Sequence, residues 1–564
     1  MFVDCRKLQN EDILYTKICI IGGGPAGIAL AREFKNQNTP VAVIESGGLK
    51  PDAVAAQLGE GETEGDPFAA LRDMRHRQYG GMSNRWNVQM HLGRIGVRYM
   101  PADRIDFERR DWVPDSGWPI SYDHLIPFYE RASQFCQSGT MDYEATSWET
   151  PDARIIKFPS GNVNTRVFKF GPSDVYTKEY TDDLRDSSHT SVYIYGSAAE
   201  LIPDESGKNI KELRVASISG NKFTMRASLF ILAAGGLDNP RIMLMSNSVQ
   251  PAGVGNQHDV VGRYFMDHPL VTTGQLFPPN KEVIKKLFLY DKRGIRGNTI
   301  MGKFELSEEV MRRERLLNMS AVVFPRTDLH RSPGRMSIDE LRHNLGGNAE
   351  PGKLLKHIKN IVRDTPNIVG NWYRHSYKAD IMKPNFAVGE WSLEQDLSKY
   401  TKFQILSQTE QAPHRDNRVV LSRNLDILGY PMAKLINHRR DIEKQSVRRS
   451  IEIFADAFRE AGMGDLKTET FFGEPILQLS THHNMGTTRM NEDPKKGVVD
   501  LDCKVHGLQN LYIAGSSVFP VGGYANPTLT IIALAMRLAD HIKLKHLKAS
   551  EKLVAVAINR SPEP

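Results

Sequence analysis

The sequence is poor in cysteine, with only Cys5, Cys19, Cys136 and Cys503 among 564 residues. These four are too scattered for local spacing to assemble a disulfide framework or the ligand set of a zinc or iron–sulfur site. Sparse cysteine of this kind fits a reducing compartment. We therefore predict no metal site.

Long apolar runs are also missing, since no stretch approaches the ~18 residues that a membrane-spanning helix requires. Residues 1–17 carry acids where a signal peptide has basic residues followed by an apolar run. The sequence thus predicts no integral membrane segment, and the cytoplasm is the default location.

A dense basic block with interleaved aromatic residues is absent too. The net charge of +6 is mild for 564 residues and does not indicate a nucleic-acid partner. We interpret the basic stretch Arg439–Arg449 as the solvated face of a helix. With 40% hydrophobic and 25% charged residues, the chain is an ordinary globular one, and its length predicts two domains.

A βαβ pattern opens the structured part of the chain. Ile18–Ile21 is a short apolar run typical of a strand in a parallel sheet, and Ile28–Phe34 continues with helical spacing. Val41–Ile44 is a second buried strand and ends at Glu45. The glycine-rich segment Gly22–Gly27 lies between the first strand and the helix.

This glycine-rich segment predicts a dinucleotide site. Gly22 allows the tight turn, Gly24 lets the backbone approach a pyrophosphate at the helix amino terminus, and Gly27 lets helix and strand pack closely. An acid at the end of the second strand, here Glu45, can bind the ribose hydroxyls of an adenosine. The predicted contacts also include Pro25, Ala26 and Ser46.

The same pattern of short buried strands followed by a helix occurs again later in the chain. Phe230–Ala234 is a buried strand that runs into Gly235 and a helix from about Asn239. Leu511–Ala514 is another buried strand, and Thr528–Ile542 is an apolar helix. We therefore expect a discontinuous dinucleotide-binding domain.

Several motifs in order resemble the glucose–methanol–choline (GMC) oxidoreductases, FAD enzymes that oxidise alcohols. They cover almost the whole chain, with residues 275–405 the poorest match. One of these motifs, Ser116–Tyr122, resembles a segment of the bacterial sugar-oxidising branch, near pyranose 2-oxidase. The others are Gly22–Gly27, Gly80–Asn84, Leu232–Pro240, Gly262–Pro269, His483–Thr487, Ala514–Gly515 and Asn526–Thr530.

The resemblance implies an α/β fold with a Rossmann-type, discontinuous FAD-binding domain and an α+β substrate-binding domain whose sheet is covered by helices. Residues 1–274 would form the first part of the FAD-binding domain, with excursions into the substrate domain around 140–200. Residues 275–475 would form the substrate-binding domain, and 476–547 the last part of the FAD-binding domain. A tail would follow at 548–564.

Alcohol oxidation by a flavin removes the hydroxyl proton and transfers a hydride from carbon. A neutral imidazole suits the first task, because its ordinary pKa of about 6.5 is close to physiological pH. The family's histidine, followed by x-x-Gly-Thr, falls on His483, and its partner falls on Asn526. Since an amide takes no proton at neutral pH, His483 is expected to be the base and Asn526 to orient the hydroxyl. His482 and His268 are given structural roles.

The resemblance also implies further flavin contacts. Asn526, Pro527 and Thr528 begin a helix whose amino terminus would favour the anionic reduced flavin. The remaining predicted contacts are Gly81, Met82, Ser83, Asn87, Ala234, Gly235, Gly515 and Ser516.

Two departures from relatives sharpen the cofactor prediction. Pyranose 2-oxidases bond FAD covalently to a histidine, and Arg85 stands at that place here. We therefore predict FAD bound non-covalently. The cysteine cluster of the related membrane-bound sugar dehydrogenases is absent, so the electrons would pass directly to oxygen or a soluble acceptor.

The predicted function is oxidation of an alcohol group of a sugar, glycoside or cyclitol, with Arg415, Asn417 and the Gly80–Gln89 loop as candidate substrate contacts. One alternative is a GMC-fold enzyme acting on a hydrophobic alcohol or sterol, with the basic stretch Lys353–Arg363 guiding a membrane-bound substrate. Another alternative is lyase or decarboxylase chemistry on a flavin scaffold, which the presence of both His483 and Asn526 disfavours.

Overall fold

The computed structural model describes residues 1–90, 94–326, 333–334, 337–338, 341, 351–366, 369, 391–393, 397–471, 474–477 and 480–547. The predicted tail 548–564 and most of the stretch 327–396 lie outside these ranges.

An eight-stranded sheet contains the predicted βαβ unit. Its centre is parallel, because Ile13–Ile21 pairs with Val41–Glu45 on one side and with Lys222–Leu232 on the other. Across the sheet the strands follow the order Phe2–Asp4, Thr190–Ile194, Val41–Glu45, Ile13–Ile21, Lys222–Leu232, Ile210–Ser217 and Gly196–Pro203.

The carboxyl-terminal part of the chain completes this sheet. Leu511–Ile513 pairs in parallel with the last residues of Lys222–Leu232. The helix Thr528–Ile542 packs between Pro25–Phe34 and Tyr122–Phe135. Residues near both ends of the described chain therefore build one Rossmann-type α/β layer, whereas the domain boundaries given above stay a prediction.

Local sequence explains why these elements form. Every residue of Val41–Glu45 is buried, as expected for a parallel strand that is covered on both faces. The helix Pro25–Phe34 begins with proline at its first position, where the missing N–H costs nothing. The helix predicted from about Asn239 in fact begins at Gly235, because the Asn239 side chain accepts a 2.8 Å hydrogen bond from the Ala234 N–H at its start.

A second, eleven-stranded antiparallel sheet lies in the same molecule. Its path is Thr470–Phe471, Glu474–Leu477, Leu270–Phe277, Lys402–Thr409, Met319–Arg326, Asn298–Leu306, Val163–Pro172, Ile95–Tyr99 and Val88–Gln89, with Arg293–Ile295 and Asp465–Thr468 at its sides. A third sheet joins Arg418–Leu425, Pro431–Asn437 and Gly61–Gly65.

The remaining α-helices are Ala53–Gln57, Arg104–Phe107, Tyr180–Arg185, Gly235–Met245, Glu282–Lys286, Glu308–Glu314, Pro351–Arg363 and Asp441–Glu460. The last of these contains most of the basic stretch that we interpreted as helical. One hydrophobic core runs through both large sheets, since it includes Ile20 of the first and Val271 and Phe403 of the second. The two sheets therefore enclose a common interior.

Candidate active site

A cavity of about 590 Å³ lies at the carboxyl ends of the parallel strands. Residues at the ends of four strands form its wall, and these are Gly22, Glu45, Ala234 and Gly515. Parallel α/β sheets bind ligands at this edge, because the helices that follow the strands direct their amino termini there.

Most of the residues predicted from the sequence meet in this cavity. Gly27 and Ser83 do not line it. A Cβ on Gly27 would lie 1.9 Å from the Gly22 carbonyl oxygen, so this glycine permits close packing of helix on strand. Ser83 donates a 2.7 Å hydrogen bond to the Gly80 carbonyl and so folds its own loop. The predicted residues that do line the cavity are Gly22, Gly24, Pro25, Ala26, Glu45, Ser46, Gly81, Met82, Asn87, Ala234, Gly235, His483, Gly515, Ser516, Asn526, Pro527 and Thr528.

His483 and Asn526 face each other in the cavity wall. The Asn526 amide nitrogen lies 3.3 Å from His483 Nε2, and the Asn526 Oδ1 has no hydrogen-bond partner among the described residues. Burial lowers the pKa of His483 well below its usual 6.5, and the neighbouring His268 and Arg98 lower it further. His483 is therefore neutral at physiological pH, as a general base must be.

Asp267 holds the loop that carries His483. Its buried carboxylate accepts hydrogen bonds from the His483 N–H at 2.9 Å, from the Thr481 hydroxyl at 3.0 Å and from the Ser480 hydroxyl. The Asp-His-Pro segment at residues 267–269 thus fixes the backbone position of the candidate base.

The next residue, His268, contacts the base itself. It is fully buried, and its Nδ1 lies 3.0 Å from the Nδ1 of His483. His268 therefore contacts the candidate base directly, which goes beyond the structural role expected from the sequence. Sequence offered no signal for this contact, because the two histidines are 215 residues apart.

Three other sequence-based expectations need correction. His482 was given a structural role, yet it lines the cavity with a left-handed φ of 64°. Arg415 and Asn417, the candidate substrate contacts, are not among the residues that line it. Asn417 instead exchanges hydrogen bonds of 3.1 and 2.9 Å with the backbone of His438, and Arg415 donates to the Asp259 carbonyl.

Buried charges near the cavity escaped the sequence analysis. Arg98 lines it and donates a hydrogen bond to Gln408 Oε1. At the other end, Arg75 and Arg77 pair with Asp238, from which they are separated by more than 160 residues. Such long-range partners leave no local pattern in the sequence.

The carboxyl-terminal residues 413–535, which include both His483 and Asn526, match the family model described as GMC oxidoreductase. This part of the chain is similar to the GMC oxidoreductases.

Individual proteins are similar to this chain at low identity. A 6'''-hydroxyparomomycin C oxidase of Streptomyces lividus is 24% identical and covers 94% of this chain and 92% of its own length. A fructose dehydrogenase large subunit of Gluconobacter japonicus is 24% identical over 56% of this chain, which spans 47% of that protein. A formate oxidase of Aspergillus oryzae shares the fold, with a TM-score of 0.53, 16% identity and coverage of 96% of this chain and 99% of that one.

These similarities to oxidases and dehydrogenases support an FAD-dependent oxidoreductase that acts on CH–OH groups. The geometry of the cavity fits FAD. A Cβ at Gly24, Gly235 or Gly515 would meet no atom within 4 Å, and the last two have positive φ angles of 86° and 107°. These glycines leave open space where the pyrophosphate and the ribityl chain would lie.

Glu45 is placed for the adenosine end of the cofactor. Its carboxylate accepts hydrogen bonds from the Gly23 N–H at 2.9 Å and the Gly47 N–H at 2.7 Å. Burial raises its pKa, and these bonds act in the opposite direction by stabilising the carboxylate. The cavity thus has a rigidly held acid beside the predicted ribose position. Within the described residues, no helix of this protein is long and apolar enough to cross a membrane.

Proposed function

We propose that this protein is a GMC oxidoreductase that converts an alcohol group of a sugar, glycoside or cyclitol to a carbonyl, with His483 as the base. The observation that carries the proposal is the approach of neutral His483 to Asn526, 3.3 Å apart, in the wall of the cavity. The substrate class is supported by relatives whose names specify fructose and a hydroxyparomomycin.

The two side chains are complementary to one hydroxyl group. The Nε2 of His483 can accept the hydroxyl proton, while the Asn526 N–H₂ can donate to the hydroxyl oxygen. Both interactions strengthen as the alcohol loses its proton, because negative charge then develops on the oxygen. Bound FAD would accept the hydride from the adjacent carbon at N5.

Arg98 adds to this arrangement through its charge. Its guanidinium lines the cavity and lowers the pKa of His483. The same positive charge would favour negative charge on the substrate oxygen during proton removal. We therefore assign Arg98 to electrostatic support of the reaction.

FAD is proposed to be held without a covalent bond. Arg85 occupies the position of the attached histidine in the pyranose 2-oxidases, and it lines the cavity as an exposed side chain. Acid precipitation of the purified protein should leave the yellow flavin in the supernatant. A yellow pellet after washing would contradict this proposal.

The main experiment is anaerobic mixing of the holoenzyme with a panel of sugars, glycosides, cyclitols and long-chain alcohols. We expect bleaching of the visible flavin band with a carbohydrate substrate. His483→Ala should reduce the rate of bleaching by about 10²–10⁴-fold, the usual contribution of a general base. His506→Ala is the matched control, because His506 lies outside the lining of the cavity and bonds to the Asn491 carbonyl.

Two outcomes would contradict the proposal. A His483→Ala enzyme that is reduced as fast as the parent would remove the base assignment. Substrate turnover without bleaching would contradict oxidation altogether. The same panel in air, with hydrogen peroxide measured, separates transfer to oxygen from transfer to a soluble acceptor.

A hydrophobic alcohol is the second candidate substrate. It is favoured by the helix Pro351–Arg363, which exposes a row of apolar side chains at the surface. Bleaching by long-chain alcohols and none by carbohydrates would select this candidate.

A further inference from the structure

The hydrogen bonds around His268 define which of its ring nitrogens carries a proton. Its Nε2 lies 3.3 Å from the Gly522 carbonyl oxygen, which can only accept, so Nε2 bears the hydrogen. A buried histidine with a lowered pKa, about 4 here, is neutral, which leaves Nδ1 without a proton. The Nδ1 of His268 is thus an acceptor.

Gln408 leads independently to the same assignment. The Arg98 guanidinium has only donors and bonds to Gln408 Oε1, so the amide nitrogen of Gln408 must point the other way. That nitrogen donates to the Tyr524 carbonyl at 2.6 Å and to His268 Nδ1 at 3.1 Å. The hydrogen bonds at Nε2 and at Nδ1 therefore indicate the same tautomer of His268.

The proton on His483 follows from its neighbour. Its Nδ1 lies 3.0 Å from the Nδ1 of His268, which is an acceptor, so His483 must carry its hydrogen on Nδ1. The Thr481 hydroxyl oxygen, also 3.0 Å from this nitrogen, has its own hydrogen directed at the Asp267 carboxylate and the His268 carbonyl and can accept. The other nitrogen, Nε2, is left as an acceptor that faces the Asn526 amide nitrogen and the cavity.

We propose that His268 is a positioning residue that fixes His483 in the tautomer whose Nε2 can take the substrate proton. The inference rests on the proposed function, since it matters only if His483 is the base. Gln408 and the Gly522 carbonyl hold His268 in place, and so the tautomer is determined by atoms outside the cavity lining.

The first test measures the tautomer of His483 in the parent protein. In holoenzyme labelled with ¹⁵N-histidine, the His483 resonances are identified as those lost in His483→Gln. We expect a protonated Nδ1 and an unprotonated Nε2 at neutral pH. A protonated Nε2 would overturn the inference.

The second test compares two substitutions of the positioning residue. His268→Asn keeps an acceptor near the Nδ1 position, whereas His268→Ala removes it. We expect His268→Ala to lower the rate of flavin reduction by about 10²–10³-fold with little change in substrate affinity, and His268→Asn to recover most of the loss. Two results would overturn the inference. One is an equal rate of flavin reduction in the parent, His268→Ala and His268→Asn holoenzymes, and the other is an equal loss of rate in both variants.

His483→Ala distinguishes this failure from failure of the proposed function. If His483→Ala is slow and His268→Ala is fast, only the positioning role is wrong. If His483→Ala itself is as fast as the parent, the base assignment fails, and the role of His268 fails with it.

A separate observation concerns the helix Pro351–Arg363, which has two unlike faces. Leu355, Ile358 and Val362 follow helical spacing and are 72%, 47% and 69% exposed. The neighbouring face carries Lys356, Lys359 and Arg363, and the helix has no acidic residue. An apolar row left exposed beside a row of cations is the pattern of helices that lie in a membrane interface.

We infer that this helix docks on an anionic lipid surface. The apolar row would enter the acyl boundary, and the three cations would contact the negatively charged headgroups. Charge selects this occupant, because an uncharged surface or a cationic partner would leave three cations uncompensated. The inference is independent of the substrate and of the chemistry at His483.

Co-sedimentation of the holoenzyme with lipid vesicles tests this surface. We expect binding to equimolar phosphatidylglycerol and phosphatidylcholine, and at least about tenfold weaker binding to phosphatidylcholine alone. Lys356→Glu with Lys359→Glu, and separately Leu355→Gln with Val362→Gln, should each weaken binding by about tenfold or more. Lys444→Glu, an exposed cation on the helix Asp441–Glu460, is the matched control and should bind like the parent.

Several results would overturn the docking proposal. One is parental protein that stays in the supernatant with the anionic vesicles. Another is binding that the two double variants leave unchanged. A third is a dimer in sedimentation velocity that only the Leu355→Gln/Val362→Gln variant dissociates, since the apolar row would then contact a second copy of the chain.

Discussion

At the residue scale, two glycines of the segment Gly22–Gly27 have opposite surroundings. A Cβ on Gly27 would lie 1.9 Å from the Gly22 carbonyl oxygen, whereas a Cβ on Gly24 would meet nothing within 4 Å. The first glycine is therefore required by the fold. The second leaves open space that a bound phosphate would use.

Replacing each glycine by alanine should separate these roles. We expect Gly27→Ala to lower the melting temperature of the flavin-free protein, because helix and strand must move apart. Gly24→Ala should keep that melting temperature and weaken FAD binding by tenfold or more. Thermal unfolding of the flavin-free protein and titration with FAD measure the two effects. Gly24→Ala that binds FAD like the parent would place the pyrophosphate elsewhere.

The lowered pKa of His483 gives a prediction for pH dependence. A base must be unprotonated, and a pKa well below 6.5 keeps His483 unprotonated as pH falls through that value. The rate of flavin reduction should therefore be constant from pH 8 down through 6.5 and decline only in more acidic solution. Stopped-flow reduction across this range measures it. A decline with a midpoint at 6.5 or above would contradict the lowered pKa.

How far the site could be predicted depends on the range of the interactions. His483 and Asn526 belong to short local motifs and were predicted with their roles, and the structure brings them together. His268 could not be assigned to the base in this way, since its partner is 215 residues away. Arg98 likewise depends on Gln408, which is 310 residues further along the chain.

At the element scale, the helix Gly235–Met245 is anchored by Asp238 in its first turn. Burial alone would raise the pKa of Asp238, but Arg77, Arg75 and Arg241 lower it to about 2. A carboxyl with a lowered pKa stabilises the fold above its ordinary pKa of 3.8, and this contribution is lost as pH falls towards 2. The contribution is on the order of 2 kcal/mol.

Asp238→Asn should expose this contribution. We expect the variant to unfold more easily by about 3–5 kcal/mol at neutral pH, because it leaves buried arginines without their counter-charge. The difference from the parent should shrink as pH falls from about 4 towards 2. Urea unfolding at a series of pH values measures it. Asp259→Asn is the control, because the exposed Asp259 also pairs with arginines but should cost under about 1 kcal/mol. A pH-independent difference for Asp238→Asn would contradict this assignment.

Prediction of the elements succeeded where periodicity is strong. The strands Ile13–Ile21 and Val41–Glu45 and the helix Thr528–Ile542 contain the predicted runs, because most residues of those runs are buried and apolar. The eleven-stranded sheet was not predicted in its pairing. Its strands bury polar residues such as Thr273 and Lys303, which removes the apolar signal.

At the scale of the whole molecule, one hydrophobic core serves both large sheets. The parallel sheet is completed by Leu511–Ile513, which follows most of the second sheet in the chain. Neither sheet is therefore an independent folding unit bounded by a single linker. Ion pairs such as Arg110–Glu410, with both side chains fully buried, add to the connection between distant segments.

This common core predicts a single unfolding transition. Far-ultraviolet circular dichroism and tryptophan fluorescence should give coincident urea curves, because the elements lose their shared interior together. FAD should shift both curves equally, since it binds only the folded state. Two separated transitions would show that the sheets unfold independently.

The late position of Leu511–Ile513 also has a consequence for synthesis in the cell. A ribosome makes the glycine-rich loop at the beginning of the chain and His483 and Asn526 hundreds of residues later. The nascent polypeptide therefore spends about half of its elongation with an edge of Lys222–Leu232 unpaired and without a finished cofactor cleft. An unpaired strand edge can pair with other chains, so this edge is open to aggregation until translation delivers the last strand.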